Sequence, residues 1–288
     1  MAAKEIVVRL SGGLGNQLFQ IAAGLLAANR SGICSICLDA RYISNYETKR
    51  NLESGFIFEH FKNVKLGTLN IFLISCATRF RVARILDKRI GSFAFIGSSE
   101  MLSNLDSSRL NNILLDGYFQ DPLVASFLKS QGDIFDKLTK SYKNLKDMLP
   151  KAYVEYVAVH IRRGDYVFSK NASKVFKTIL LDYYRSAVNG FPSNTKFIIF
   201  GDDAETRSTF SDEIGGLDAA SLGLNLSEEF MLLAMADHYV IANSTFSWWA
   251  SYLGYNESKR VIAPRNWYMD KDRSLNNPLL MKYFELLD

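Results

Sequence analysis

Ile6-Val7-Val8-Arg9-Leu10-Ser11-Gly12-Gly13-Leu14-Gly15-Asn16-Gln17 is the stretch that decides the fold. Its first five residues are rich in β-branched side chains, Ser11 to Gly15 is a glycine-rich loop, and Gln17 to Ala28 carries apolar residues at helical spacing. Strand, loop and helix follow in that order. Ile33 to Leu38 reads as a second strand, so the chain opens on a βαβ unit with a right-handed crossover.

The same rhythm returns further along. Leu123 to Leu149 reads as largely helical, Pro150 closes that region, and Tyr153 to Ile161 restarts as a strand. Lys196–Phe200, Tyr239–Ala242 and Val261–Ala263 read as further strands, with helices over Ser227–Ala236, capped by Ser227, and Phe246–Tyr252. Between Asn45 and Asn112 no clear pattern emerges. Alternating β and α in both halves predicts an α/β protein of two facing, Rossmann-like, doubly wound lobes. They should cover residues 1–150 and 151–288, with a cleft between them.

Composition narrows the function. The 288 residues are 48% hydrophobic and 22% charged, which excludes disorder and fibre. A net charge of +4 without a clustered basic stripe argues against nucleic acid and leaves room for a small anionic ligand or an acidic membrane surface. Cys34, Cys37 and Cys76 make no even disulfide framework, and Cys34-Ser-Ile-Cys37 has no second CxxC or histidine pair to complete a zinc site. Reduced, buried thiols in a reducing, cytoplasmic compartment are expected. No signal peptide is evident, and the most apolar stretch, Leu69 to Ala77, is too short to span a bilayer. Arg79, Arg81, Arg84, Lys88 and Arg89 are interleaved with apolar residues, the pattern of a solvated helix face or of a helix lying on a membrane.

In open parallel sheets ligands sit beyond the carboxyl ends of the strands, which singles out four loops. The first, with Gly13, Gly15 and Gln17, offers backbone N–H groups and a helix N-terminus to an anion. It also approaches a dinucleotide fingerprint, because Asp39 ends the second strand, although Leu18 stands where the third glycine belongs. A tight turn that only packs strand on helix would look the same. The second loop is His160-Ile-Arg162-Arg163-Gly164-Asp165-Tyr166. Strand alternation sends His160 and Arg162 to one face and Arg163 to the other, where it can pair with Asp165. An arginine fork matches phosphate oxygens and would stabilise the charge that grows on a departing nucleoside diphosphate. In the third loop, Asp202 and Asp203 could accept hydrogen bonds from ribose or a purine edge, or Asp203 could simply cap a helix. The fourth, Asn243-Ser244-Thr245-Phe246-Ser247-Trp248-Trp249, clusters hydroxyls at a helix start and could cradle phosphate or merely cap, with the tryptophans in the core.

Together these loops, with Leu10–Gln20, Gly117-Tyr-Phe-Gln120 and Ala263-Pro-Arg-Asn-Trp267, resemble the bacterial α-1,2-fucosyltransferases of glycosyltransferase family 11. The resemblance runs in order along nearly the whole chain. It implies a GT-B type fold and GDP-β-L-fucose as a co-substrate, with no metal and no other cofactor. The implied reaction is inverting transfer of fucose to the 2-hydroxyl of a terminal galactose, in O-antigen or oligosaccharide synthesis. By the same resemblance Arg162 binds the donor phosphates, and His160, Asp202 and Asp203 lie where guanosine is held. Asn16 stands near the reacting centre, and Ser244 and Thr245 lie on the motif that closes over the diphosphate. Thr206 departs from the family, whose members commonly carry tryptophan there.

The expected catalytic set is thus Arg162, Asn16 and Asp165, the last a candidate base. The expected donor-binding set is Gly13, Gly15, Gln17, His160, Arg163, Asp202, Asp203, Asn243, Ser244, Thr245 and Ser247. The donor should lie mainly on the second lobe and the glycan acceptor on the first. A lipid-carried acceptor would suit the basic stretch and a peripheral position on the inner face of the cytoplasmic membrane. Two rivals stand beside this reading: an NAD-dependent oxidoreductase using Gly13, Gly15 and Asp39, and a non-catalytic nucleotide-sugar or glycan-binding protein.

Overall fold

A computed structural model describes residues 4–41, 43, 51–67, 93–105, 112–132, 134–164, 169–254 and 256–288. Cys76, the basic stretch from Arg79 to Arg89 and Asp165 lie outside the described residues. The chain divides into two compact units, Met1–Ile134 and Phe135–Asp288. Pro150, the expected boundary, falls inside the second unit, between two short 3-10 segments at Lys143–Met148 and Lys151–Tyr153.

The first unit is built on β1 (Glu5–Arg9), β2 (Ile36–Asp39), β3 (Val64–Leu66), β4 (Phe93–Ile96) and β5 (Asn112–Leu115), all parallel, in the order β3-β2-β1-β5-β4. Helix α1 (Leu14–Ser31) is apolar on nearly every side because it is covered by the sheet and by α2 (Pro122–Ser130). The glycine that permits its close approach to β1 is Gly24, since a Cβ there would lie 2.7 Å from Val8 Cγ2. That role needs no glycine at position 18.

The second unit contains β6 (Val157–Ile161), α3 (Leu181–Asn189), β7 (Phe197–Gly201), α4 (Ala204–Ile214), β8 (Leu217–Asp218), α5 (Leu226–Ala234), β9 (His238–Val240), α6 (Thr245–Leu253), β10 (Val261–Pro264) and β11 (Glu285–Leu287). Its six parallel strands follow the order β11-β10-β9-β6-β7-β8, the arrangement of a complete doubly wound dinucleotide-type sheet. All five residues of β6 are buried, as a central parallel strand covered on both faces requires. Val159, Ile161, Tyr183, Tyr184, Ile199, Phe210 and Val240 share one core, each such side chain contributing about 1.5–3 kcal/mol on burial. The Tyr183 hydroxyl reaches the Ile241 and Ile262 carbonyls at 2.8 and 3.1 Å, which satisfies the polar end of a fully buried ring.

Helix α5 does not begin at Ser227. Its N-cap is Asn225, whose side chain accepts from the Ser227 and Glu228 N–H groups while Glu228 reaches back to the Asn225 N–H. This reciprocal box satisfies more orphan donors than a lone serine cap. Among the described residues no helix is long and apolar enough to cross a membrane.

Candidate functional site

In the second unit the winding reverses between β6 and β9, so a ligand crevice is expected beyond their carboxyl ends. His160 stands near the end of β6, with Arg162, Arg163 and Gly164 in the loop that follows, and the loop after β9 carries Asn243 and Ser244 into Thr245, the first residue of α6. β7, next to β6, ends at Gly201 and delivers Asp202 and Asp203.

β6 ends at Ile161, so strand alternation does not reach Arg162. An acid places that side chain instead. Arg162 Nη1 lies 2.8 Å from Asp202 Oδ2, with the two side chains 16% and 27% exposed. Asp202 Oδ1 accepts from the Arg163 and Gly164 N–H groups at 3.0 and 3.2 Å. Glycine is required at 164 because a Cβ would come within 2.9 Å of Asp202 Cγ. Burial opposes the charge on Asp202, but Arg162 and the two N–H donors hold its carboxyl below the usual range. This acid, expected to receive ribose or purine, is committed to the cationic loop.

Its neighbour Asp203 is likewise occupied. Its carboxylate caps α4 through the Thr206 N–H at 3.1 Å, the alternative the sequence left open. Arg163 Nε stands 3.9 Å from Asp203 Oδ2.

His160 is 5% exposed, and its ring lies 5.5 Å from that of Phe246 in α6. Burial pushes its imidazole down to about 4, with Arg162 acting in the same direction and Asp202 against it, so the ring is neutral at pH 7. Its Nδ1 has no hydrogen-bond partner among the described residues. Phe246 also packs edge-on against Phe230 of α5, at 5.3 Å. The end of β6 and the start of α6 are thus joined through aromatic contact.

At the start of α6, Ser244 is the N-cap and accepts from the Phe246 N–H at 3.3 Å, and Thr245 is the first helical residue. Ser247 is fully buried and donates to the Ser244 carbonyl at 3.4 Å. Asn243 donates to the Lys177 and Trp267 carbonyls at 2.7 and 2.9 Å, bracing the loop from behind. Trp248 and Trp249 are fully buried, as the sequence suggested. Ser247 and Asn243 therefore hold the helix start in place, and Ser244 and Thr245 present it.

One acid escaped the sequence reading. Glu229 of α5 is half-buried, and burial raises its carboxyl, with Asp202 and Asp218 adding to the rise and Arg207 opposing it. Arg207 is itself held by Asp218 Oδ1 and the Gly201 carbonyl, both at 2.6 Å. In sequence Glu228-Glu229 is an acidic first turn of a helix. Glu228 serves the cap, and only the fold brings Glu229 near enough to Asp202 for their charges to interact.

The corresponding switch point of the first unit lies between β1 and β5. Here the glycine-rich loop differs from its expected use. The N-terminus of α1 is occupied by the protein's own carboxylate, since the Leu14 N–H donates to Glu53 Oε2 at 2.6 Å. Gln17 is fully buried: its Oε1 accepts from the Glu53 and Ser54 N–H groups, and its Nε2 donates to the Gly12 and Asn51 carbonyls. It clamps two loops and has no face left for a ligand. Gly13 is the extended N-cap, and Gly15 is buried in the first turn. Asn16 Oδ1 accepts from Gln120 Nε2 at 2.9 Å. At the end of β2 both Asp39 oxygens are held by Arg41, each at 2.8 Å. A dinucleotide would need the α1 terminus for its pyrophosphate and Asp39 for its ribose, and both are taken.

Among the described residues no group of three or more His, Cys, Asp or Glu side chains is placed to hold a metal ion. Cys34 is exposed, and Cys37 is a buried free thiol whose pKa burial raises.

The model of the family described as Glycosyl transferase family 11 matches residues 5–279. The chain is 27% identical to the O-antigen biosynthesis glycosyltransferase WbnK of Escherichia coli, over 92% of this chain and 95% of that protein. It is 29% identical to an alpha-1,2-colitosyltransferase of Escherichia coli, over 98% of each. Among solved structures it shares its fold with NodZ alpha-1,6-fucosyltransferase co-crystallised with GDP, at a TM-score of 0.52 and 15% identity, over 88% of this chain and 93% of that one. Both parallel α/β units are those of a GT-B type glycosyltransferase, and the match from Glu5 nearly to the end establishes that the chain belongs to glycosyl transferase family 11.

Proposed function

We propose that this chain transfers L-fucose, with inversion, from GDP-β-L-fucose to the 2-hydroxyl of a terminal galactose on a glycan. The observation that carries the donor half is Arg162 fixed by Asp202 at the β6/β9 switch point, where the N-terminus of α6 also opens. A guanidinium has five N–H donors, so pairing through Nη1 orients the group without exhausting its capacity for phosphate. The α6 terminus, with Ser244 and Thr245, adds N–H and hydroxyl donors for the second phosphate.

Cleavage of the fucose C1–O bond leaves both electrons on the β-phosphate of GDP, and Arg162 meets that charge without reorganising. The galactose hydroxyl forms the new bond to C1 from the opposite face, and its proton passes to a carboxylate, for which Asp165 is the candidate. With Asp202 and Asp203 engaged by the protein, Glu229, whose charge acts on Asp202, is the acid suited to accept from the N–H edge of guanine.

The name of the colitosyltransferase relative favours one second reading, in which the donor is GDP-colitose, a sugar that differs from fucose by loss of the 3-hydroxyl. Incubation with each donor and a panel of β1,3- and β1,4-linked galactosides, read by mass, tests both. Addition of fucose, undiminished in excess EDTA, is expected. Addition of colitose alone selects the second reading, loss of activity with EDTA introduces a metal, and GDP binding without transfer to any acceptor leaves a binding protein.

A further inference from the structure

Behind Asp202 stands an ion pair that the proposed chemistry does not use. Arg207, near the start of α4, donates from Nε to Asp218 Oδ1 and from Nη1 to the Gly201 carbonyl, both at 2.6 Å. Asp218 is the last residue of β8, and the same oxygen accepts from the Ala220 N–H at 2.9 Å, which caps the 3-10 turn Ala219–Leu222. One end of the fork is therefore anchored to a strand and a turn. The other end grips a carbonyl at the edge of the cationic loop.

The position of that carbonyl gives the grip its consequence. β8 pairs with Ile198 and Ile199 of β7, short of Gly201, and Arg207 supplies a donor to the Gly201 carbonyl beyond that ladder. On the other side Gly201 pairs with Ile161, the last residue of β6, so closely that a Cβ at position 201 would collide with the Ile161 carbonyl. The next residues along the two chains are Asp202 and Arg162, whose side chains meet at 2.8 Å.

A peptide unit is planar, so a hydrogen bond to the Gly201 carbonyl also fixes the N–H and Cα of Asp202. Asp202 in turn directs one oxygen to Arg162 and the other to the Arg163 and Gly164 N–H groups. A planar guanidinium with two fixed partners transmits orientation, which a single flexible ammonium does not. Arg207 also opposes the rise of the Glu229 carboxyl, so its charge and its geometry must be separated by experiment.

We propose that Arg207, anchored by Asp218, is a positioning residue for the nucleotide: it fixes the Gly201–Asp202 peptide and, through Asp202, the Arg162 guanidinium and the backbone of Arg163 and Gly164. The proposal deepens the transferase reading and rests on it for the word nucleotide. Order in the loop can be measured with no ligand at all.

The test combines calorimetric titration with GDP and amide hydrogen exchange on the same variants of the full chain. Arg207→Met should weaken GDP binding about tenfold and speed exchange at the Arg163 and Gly164 amides about as much, while amides of β10 exchange as in the wild type. Arg207→Lys keeps the charge that acts on Glu229 but not the fork, so it should behave like Arg207→Met, and it carries the same prediction if Arg207→Met does not fold. Asp218→Asn still offers an acceptor to Arg207; it should weaken GDP only about threefold and add nothing in the Arg207→Met background. Wild-type GDP affinity and exchange in either Arg207 variant would overturn the proposal. So would exchange that is faster by the same factor throughout the unit, the sign of a merely structural ion pair. Failure of the wild type to bind GDP would sink the donor reading alone, and exchange at Arg163 and Gly164 would still decide this one.

Discussion

The loops that leave the first strand of each sheet occupy the same topological position and have opposite electrostatics. In the first unit the loop after β1 opens a long helix whose N-terminus is filled by Glu53, a residue of the same unit. In the second, the loop after β6 presents Arg162, and the acid that accompanies it, Asp202, binds the back of the loop and holds the guanidinium in place. One loop has its helix terminus met by the protein's own carboxylate. The other is a cation fixed in orientation. Position in a doubly wound sheet marks where a ligand can bind, but the nearest carboxylate decides which kind.

The largest expected effect comes from removing the fork on the cationic side. Arg162→Lys keeps a charge that can still face Asp202 but loses the planar pair of donors, and kcat for fucose transfer should fall by roughly a hundredfold or more. Steady-state kinetics and circular dichroism on the same preparation check it. Near-normal turnover with an intact fold would show that Arg162 only braces Asp202 and that the two loops differ less than their charges suggest.

The second effect concerns pH and separates the loops by stability. In the folded state His160 titrates at about 4, below its ordinary 6.5, because burial disfavours the imidazolium. The unfolded chain therefore takes up this proton first as pH falls. The associated stabilisation, about 3 kcal/mol, is complete above pH 6.5 and is lost between there and pH 4. Asp202, whose carboxyl is held low, contributes a further loss only as pH falls below the carboxylate range. Urea midpoints measured across this window should show a slope that His160→Gln flattens. A slope unchanged in the variant would mean that the buried ring is protonated in the native protein.

How legible this was in the sequence follows from where each determinant lies. β1, α1 and β6 are long, periodic or continuously apolar, and their patterns survive in the fold. β3, with three residues, and β8, with two, are too short to show a period, and they pair only through registers set by their neighbours. Arg162 stood out because two arginines beside a glycine at a strand end are unusual. The internal bonds of Asp202 and Asp203 were not legible, except for the cap left open at Asp203, because an acid that receives its own backbone has the same sequence as one that receives a ribose. The cap at Asn225 was missed because its partner is Glu228, three residues on, and Ser227 offered a simpler cap. Glu53 could not be found at all, since it reaches Leu14 across 39 residues.

That contact provides the smallest and most discriminating test of the comparison. Glu53→Gln keeps the size of the side chain and removes the charge from the α1 terminus, where a carboxylate meets both the Leu14 N–H and the positive end of the helix. The cost should be about 1 kcal/mol, the usual value of such a cap, read as a lower urea midpoint with unchanged slope. GDP affinity should not move, because in this reading the phosphates lie at Arg162 and α6. If the α1 terminus instead faced the diphosphate, removing an anion beside it would strengthen GDP binding. A tighter GDP complex in Glu53→Gln would therefore return the glycine-rich loop to the donor.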